Sequence, residues 1–455
     1  MREQWLLILW VVSLCAWLGM AYYLRFSTHH TDGLTGVFGA SYFSDKVKRL
    51  IERRKEIHII AVELSQLKKI NRLRGMDCGD QLLAETAQML RGISRWNQVF
   101  RVSGRRFVVV AHSIAEYDKA IHDVRMFFSE PVEVGDESIS SPVTVCGIMD
   151  AARLGSSSVI LEYIEYLASL VPAGAESMTV QDDDQTLKGF RYTQEIENFL
   201  NTALKEDLFD VQYQPVYSLG KQQFVTLEAL SRLRHPSLGP VSPDVFITLA
   251  EKNDQMPQLG LLQMRKICRF VCENKPLLGS VQNIKINLSP AELMKSGHVD
   301  RLIGIIREYE LPMSFFQFEI TETAATEYSE QLRLTTAKLT QAGIGLCLDD
   351  FGSGYANLNT VLKLPFSAIK LDRSLLSGID EDSRVAAFYQ NIVAVLKNMG
   401  YFVISEGVET ARELELVSYW GVDMIQGYYF AKPLSGSDVL TKIADNTQGE
   451  ASSIA

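Results

Sequence analysis

The chain has 455 residues, too many for one ordinary core, so two or three domains are expected. Its 55 acidic and 45 basic side chains leave a formal charge of −10, which excludes a basic surface for holding nucleic acid; no nucleic-acid polymer is expected as a partner. Hydrophobic residues at 47% beside charged residues at 22% are a globular balance, and six scattered cysteines (Cys15, Cys78, Cys146, Cys268, Cys272 and Cys347) without a CxxC pair exclude a disulfide scaffold and a thiolate metal cluster.

Residues 5–24, WLLILWVVSLCAWLGMAYYL, run without a charge for the length that crosses a bilayer, longer than the apolar stretch of a signal peptide. Trp5, Tyr22 and Tyr23 fall where interfacial aromatics sit, and Arg25 and the basic run from Lys46 to Lys55 place the downstream chain in the cytoplasm. The expectation is a single-pass transmembrane anchor. A first α/β block spans 32–171. Around 172–192, PAGAESMTVQDDDQTLKGFRY replaces apolar periodicity with Pro, Gly, Ser and an acidic triplet, and reads as a linker over 172–189. The second block spans 190–440, and the polar segment 441–455 reads as a flexible tail.

The second block repeats one phrase. FVTL leads into Glu228, NIKI into Asn287, FQF into Glu319, IGLCL into Asp349 and Asp350, SAI into Lys370, YFVIS into Glu406, and VDMI into Gln426. Short apolar strands alternating with amphipathic runs over about 250 residues predict a parallel sheet closed as a (β/α)8 TIM-type barrel, whose active sites gather at the strands' C-terminal ends.

A lone acid ending a strand is more often a helix cap or a solvated loop residue. Five carboxylates at one barrel mouth repel one another unless cations lie among them, and an all-oxygen donor set without Cys or His favours Mg²⁺ or Mn²⁺ over Zn²⁺. Paired acids such as Asp349 and Asp350 suit two ions held close together, Lys370 adds a fixed positive charge, and Gly352 and Gly354 turn the chain just beyond. The chemistry suggested is metal-assisted phosphoester hydrolysis.

The stretches YQPVYSL, LEALSRLRHP, INLSP, FEITETA, LDDFGSGYANL, IKLDRSLL, ISEGVET and IQGYYFAKPL resemble, in order and spacing, the EAL-domain cyclic di-GMP phosphodiesterases. The resemblance implies a TIM-type barrel that hydrolyses cyclic di-GMP to linear pGpG with two Mg²⁺ or Mn²⁺ ions. It implies metal binding by Glu228, Asn287, Glu319, Asp349 and Asp350, with Lys370 beside the attacking water. Glu406 and Gln426 take the remaining active-centre positions, and Glu322 steadies the loop after Asp350. Gln212 and Arg232 become substrate contacts. Ser405 and Leu375 are small departures from the family pattern.

The first block resembles the GGDEF diguanylate cyclase domain in DGLTGVFGASYF (32–43) and in LKKINRLRGMDCGDQLL (67–83), which keeps Asn71 and Asp80. Its signature reads SGRRF, with Arg105 in the place of a metal-binding acid and Glu63 as a longer stand-in for the other; Ser94 and Asn97 replace the feedback-site residues. The resemblance therefore implies a degenerate, cyclase-inactive domain. Arg105 and Arg106 either meet nucleotide phosphates, with GTP as the ligand, or form a solvated turn. The whole reads as a phosphodiesterase of the bacterial inner membrane, both domains cytoplasmic and the chain a homodimer. The alternative is a cyclic di-GMP receptor that signals to a partner without cleavage.

Overall fold

The structure, a computed structural model, describes residues 30–94, 98–172, 175, 177–326, 330–353 and 363–453. The anchor expected at 5–24 lies outside the described residues, among which no helix is long and apolar enough to cross a membrane. The chain divides into two compact units, Met1–Tyr192 and Thr193–Ala455.

The first unit carries β1 (Phe38–Gly39), β2 (His58–Leu64), β3 (Val99–Arg101), β4 (Arg106–Ala111), the hairpin β5 (Val132–Val134) and β6 (Glu137–Ile139), β7 (Val143–Ile148) and β8 (Met178–Gln181). Six of these form one sheet in the order β1-β3-β4-β2-β7-β8. Every residue of the central strand HIIAVEL is buried, because helices cover both faces. Ile59 and Ala61 join a core with helices Ala40–Glu52 and Ser157–Ser169. Ile60, Val62 and Leu64 join another with helices Leu67–Arg74, Met76–Ile93 and Ile114–Phe127.

The stretch expected as a linker is structured. Met178–Gln181 pairs in parallel with β7, and helix Asp184–Lys205 begins immediately after, its Leu187 and Phe190 buried in the first unit's core. The acidic triplet that reads as a breaker supplies the helix start: Asp183 accepts the amide of Thr186 at 2.7 Å, as an N-cap does.

The second unit carries β9 (Phe209–Ser218), β10 (Gln223–His235), β11 (Gly239–Val241), β12 (Asn283–Asn287), β13 (Phe316–Thr321), β14 (Gly345–Phe351), β15 (Ala368–Leu371), β16 (Phe402–Ser405) and β17 (Met424–Ile425). β10 and β12 to β17 run parallel, β9 closes the ring between β17 and β10, and β11 folds back on the end of β10. The barrel is closed with eight strands, but it is not all-parallel as expected. β9 turns into β10 within residues 219–222 and without a crossover helix, so it runs antiparallel to both neighbours.

Side-chain alternation sorts each strand. Ile284, Ile286, Phe316, Phe318, Ile320, Leu346, Leu348, Ile369 and Leu371 face outward into the core shared with the helices. The intervening positions face inward, where Val216, Cys347, Ala368, Ile404 and Met424 form a small apolar plug. Polar inward residues stack above it, so the mouth is a charged layer on an apolar floor.

The segment expected as a flexible tail belongs to helix Gly436–Ser453, which crosses the boundary set at 440. Ser435 accepts the amide of Asp438 at its start, Val439 and Ile443 are buried, and Asn446 accepts the amide of Phe224 at 3.1 Å. Apolar residues at helical spacing give this polar sequence a face to dock.

Candidate active site

Lys370, on β15, is the centre of the mouth. Its side chain is 1% exposed, and its ammonium lies 2.6 Å from Glu406, 2.9 Å from Asp349, 3.3 Å from Glu319 and 3.4 Å from Glu228. Glu228, on β10, accepts from Asn287 Nδ2 at 2.9 Å and from Gln426 Nε2 at 2.5 Å. Six of the residues singled out in the sequence therefore share one hydrogen-bonded cluster with Lys370.

Adjacent residues on a regular strand point to opposite faces, so Asp349 and Asp350 need a local break to converge. The β14–β15 register shifts between Leu348 and Phe351, and Asp350 takes φ +56°, a left-handed conformation that Asp tolerates better than most residues. The bulge turns both acids toward the mouth. Oxygens of Asp349, Asp350 and Glu406 lie within 4.8 Å of one another, as do those of Glu228, Glu319 and Asp349. Two such triads sharing Asp349, all oxygen donors, fit a pair of hard divalent ions.

Burial works against ionisation at Glu228, but the Lys370 ammonium and the Gln426 and Asn287 donors hold its carboxyl down at about 2. Burial raises Glu319 to about 7 despite Lys370 and Lys285, and burial with the neighbouring Asp349 raises Asp350 to about 6. Burial also raises Glu406 well above the carboxylate range. Lys370 is desolvated, yet its acidic neighbours raise it well above an ordinary lysine. Burial and like charge thus favour a protonated carboxyl in the mouth beside the Lys370 ammonium, and a divalent ion bound among these acids would displace that proton.

On the rim, Arg232 donates through Nε to Gln212 Oε1 at 2.8 Å, a bond that aims the guanidinium across a cavity of ≈490 Å³. Asn287, Glu319 and Pro290 line the same cavity, so it opens directly onto the acidic cluster. Glu322 accepts the amide of Gly352 at 2.9 Å, clamping the chain just beyond Asp350. Gly352 has φ +97°, and a Cβ there would lie 2.6 Å from a Leu375 methyl, so the turn requires glycine. Gly354 lies outside the described residues.

Two further residues join the cluster without having been singled out in the sequence. Gln214, on β9, is buried; its Oε1 accepts from Gln426 at 3.0 Å and its Nε2 donates to the carbonyl of Ala431, so it orients Gln426 toward Glu228. Lys285, on β12, lies one layer below Asn287 and donates to Glu319 Oε1 at 3.0 Å. Both occupy inward positions of strands whose alternation is visible in the sequence.

In the first unit, Glu63, the last residue but one of β2, lies directly opposite Arg106 on β4. Arg106 donates to Glu63 Oε2 through Nε at 2.8 Å and Nη2 at 2.5 Å, and Arg105 Nη2 lies 2.6 Å from Oε1. Both carboxylate oxygens are thus occupied, and Arg106 also lies 3.5 Å from Glu165. The solvated turn expected as the simpler reading holds for neither arginine in full: the Arg106 side chain is only 12% exposed, while Arg105 is 42% exposed but still paired with Glu63. Asn71 lies on helix Leu67–Arg74 against Gly79, and Asp80 on helix Met76–Ile93; neither reaches the Glu63 cluster by a bond in the structure. Ser94 caps the end of that second helix by donating to Leu90, and Asn97 lies outside the described residues.

Residues 197–433 match the EAL domain family, and residues 29–145 match the family described as diguanylate cyclase, GGDEF domain. The chain belongs to the EAL domain family, with a GGDEF domain ahead of the barrel. It is 30% identical over 413 residues to the cyclic di-GMP phosphodiesterase NbdA of Pseudomonas aeruginosa, covering 89% of this chain and 52% of NbdA. It is 25% identical over 431 residues to the bifunctional diguanylate cyclase/cyclic di-GMP phosphodiesterase MucR of the same organism, covering 91% of this chain and 61% of MucR. The chain therefore spans about half to three fifths of these relatives' length. Among solved structures, the PaMucR phosphodiesterase in complex with c-di-GMP superposes with a TM-score of 0.51 at 28% identity, covering 54% of this chain and 99% of that one. The S helix-GGDEF-EAL portion of Vibrio cholerae LapD, bound to c-di-GMP, gives a TM-score of 0.63 over 91% of this chain and 99% of that one; at 15% identity it speaks to fold alone.

Proposed function

We propose that this chain hydrolyses cyclic di-GMP to linear pGpG at the mouth of its EAL barrel, and that its GGDEF unit is inactive as a cyclase and regulatory in role. The observation that carries the first part is the Lys370 cluster, in which one ammonium stands among four carboxylates, three on strands and Glu406 just beyond the end of β16, with a fifth at the bulge. Glu228, Asn287, Glu319, Asp349 and Asp350 would hold two Mg²⁺ or Mn²⁺ ions, which lower the pKa of a bound water and offset charge on the reacting phosphate. Lys370 keeps a positive charge beside the site of attack, Glu406 anchors that ammonium, and Gln426 orients Glu228. Arg232, held by Gln212, presents paired N–H donors to a phosphate entering the adjoining cavity.

The Glu63 clamp supports the second part. A cyclase centre needs carboxylates free for metal beside a triphosphate, whereas here the remaining carboxylate is saturated by two arginines. The reading also includes a single-pass helix at residues 5–24 in the bacterial inner membrane, both units on the cytoplasmic side, and a homodimer; GTP as a ligand of the GGDEF unit would require its phosphates to displace Glu63 from Arg105 and Arg106.

The test is to incubate the purified chain with cyclic di-GMP and Mg²⁺ or Mn²⁺ and follow pGpG by chromatography, with chelator as control. Metal-dependent pGpG is the expected result. Tight binding of cyclic di-GMP without pGpG would replace the enzyme by a receptor.

A further inference from the structure

Lys285 is a charged member of the acidic cluster to which the proposed hydrolysis gives no role. It is 1% exposed and sits at an inward position of β12, between the apolar plug and the metal-ligand layer. Its ammonium donates to Glu319 Oε1 at 3.0 Å and to Cys347 Sγ at 3.2 Å. The Cys347 thiol points its own proton toward the Leu348 carbonyl at 3.6 Å, so sulfur receives the ammonium as an acceptor. A buried ion pair of this kind is poor value for stability, since desolvating both charges offsets most of the attraction and an apolar pair would pack as well. Its effect is better sought in what it does to Glu319.

The two oxygens of Glu319 are treated differently. Oε1 is directed downward to Lys285, and Oε2 faces Lys370 and the mouth at 3.3 Å. The terminal torsion of a glutamate is soft, so a free carboxylate could rotate to present both oxygens to an ion. Lys285 fixes that torsion. We propose that Lys285 is a specificity-determining residue of the metal site: by occupying Glu319 Oε1 it makes Glu319 a one-oxygen ligand and biases the site toward small octahedral ions, Mg²⁺ and Mn²⁺, and against Ca²⁺. Ca²⁺ takes six to eight oxygens and commonly uses both oxygens of a carboxylate, whereas Mg²⁺ requires near-ideal octahedral geometry and uses carboxylates sparingly. Lys285 acts through Glu319 and touches neither substrate nor reacting atoms, so it is a positioning residue.

This inference rests on the metal-site reading, and the experiment separates the two. Mn²⁺ binding to the full chain is measured by the EPR signal of free Mn²⁺, with Ca²⁺ added as competitor, for wild type, Lys285→Met and Lys285→Arg. Outer-shell partners of metal ligands change affinity by about 10- to 100-fold, so the ratio of Mn²⁺ to Ca²⁺ affinity should fall about tenfold in Lys285→Met and recover in Lys285→Arg, which restores the donor. If Lys285→Met does not fold, Lys285→Leu, which likewise has no donor for Glu319 Oε1, should show the same fall. Folded Lys285→Met or Lys285→Leu with the wild-type ratio overturns the inference while leaving the site intact. Failure of wild type to bind Mn²⁺ at all overturns the metal-site reading itself.

Discussion

Replacing Lys370 by Met removes the one cation that, among the described residues, reaches four of the mouth's carboxylates. In the metal-free barrel these acids, at 2.6 to 3.4 Å from the lost ammonium, must either repel one another or take up a proton. Breaking a buried pair by deleting one partner costs about 3–5 kcal/mol. Proton uptake limits that cost near neutrality, because Glu319 sits at about 7 even with both lysines beside it. Linkage sets the sign. Without the ammonium, a carboxylate in the folded barrel has a pKa further above its unfolded value. The folded state then holds a proton that the unfolded state releases, and stability falls as pH rises between those two values. We expect Lys370→Met to lose about 3 kcal/mol at pH 7, and up to about 1.4 kcal/mol more per pH unit above that for each carboxylate forced to keep its proton. For a unit of this size, about 2–4 °C per kcal/mol turns the pH 7 figure into a melting-point drop of about 6–12 °C. Thermal melts with chelator at pH 6, 7, 8 and 9, repeated with saturating Mn²⁺, read the effect. A deficit that stays constant from pH 6 to 9, or that Mn²⁺ leaves untouched, would refute the idea that Lys370 serves as the counter-cation of the empty site.

Glu228→Ala and Asp349→Ala should each abolish pGpG formation, since each removes a carboxylate from the mouth; chromatography of the reaction checks this, and full activity in either variant would remove it from the metal site. Apparent Mn²⁺ affinity should rise between pH 5.5 and 7.5, because Asp350 at about 6 and Glu319 at about 7 must shed protons before an ion enters; a flat EPR titration over that range contradicts it. Gly352→Ala forces a side chain into a left-handed backbone and against Leu375, and should lower kcat through Asp350 while costing about 1–2 kcal/mol in stability, read by steady-state kinetics and urea melts. In the GGDEF unit, Arg106→Ala leaves Glu63 buried with Arg105 alone and should cost about 3 kcal/mol, whereas Glu63→Gln with Arg106→Met should be nearly neutral; a double variant as unstable as the single one would count against the clamp.

Much of the barrel is legible because strand alternation is written into the sequence. NIKIN, FQFEIT and GLCLDD place outward Ile, Phe and Leu between inward polar residues, and seven such phrases predict seven parallel strands. The direction of the eighth strand is not legible, because FDVQYQPVYS has the alternation of any strand and direction depends on the length of its connection. The linker and the tail mislead for a related reason. Composition registers MTVQDDD and ADNTQG as polar, but hydrogen-bonded pairing to β7 and a buried Val439–Ile443 face are tertiary facts.

The acids stand out in the sequence where Lys285 does not. A carboxylate that ends a strand attracts notice because its chemistry is familiar, while a lysine two residues before the end of a strand reads as a solvated charge. In NIKIN, however, Ile284 and Ile286 bind that strand to the helical layer, so Lys285 and Asn287 have to share the opposite, inward face. The interior of an eight-stranded barrel has no solvent at that depth, and an ammonium there must meet a carboxylate. Its partner is Glu319, on the adjoining strand, whose register pairs it with Asn287 and not with Lys285. That diagonal offset puts the ammonium beneath the carboxylate, so it engages the lower oxygen and leaves the upper one to the mouth.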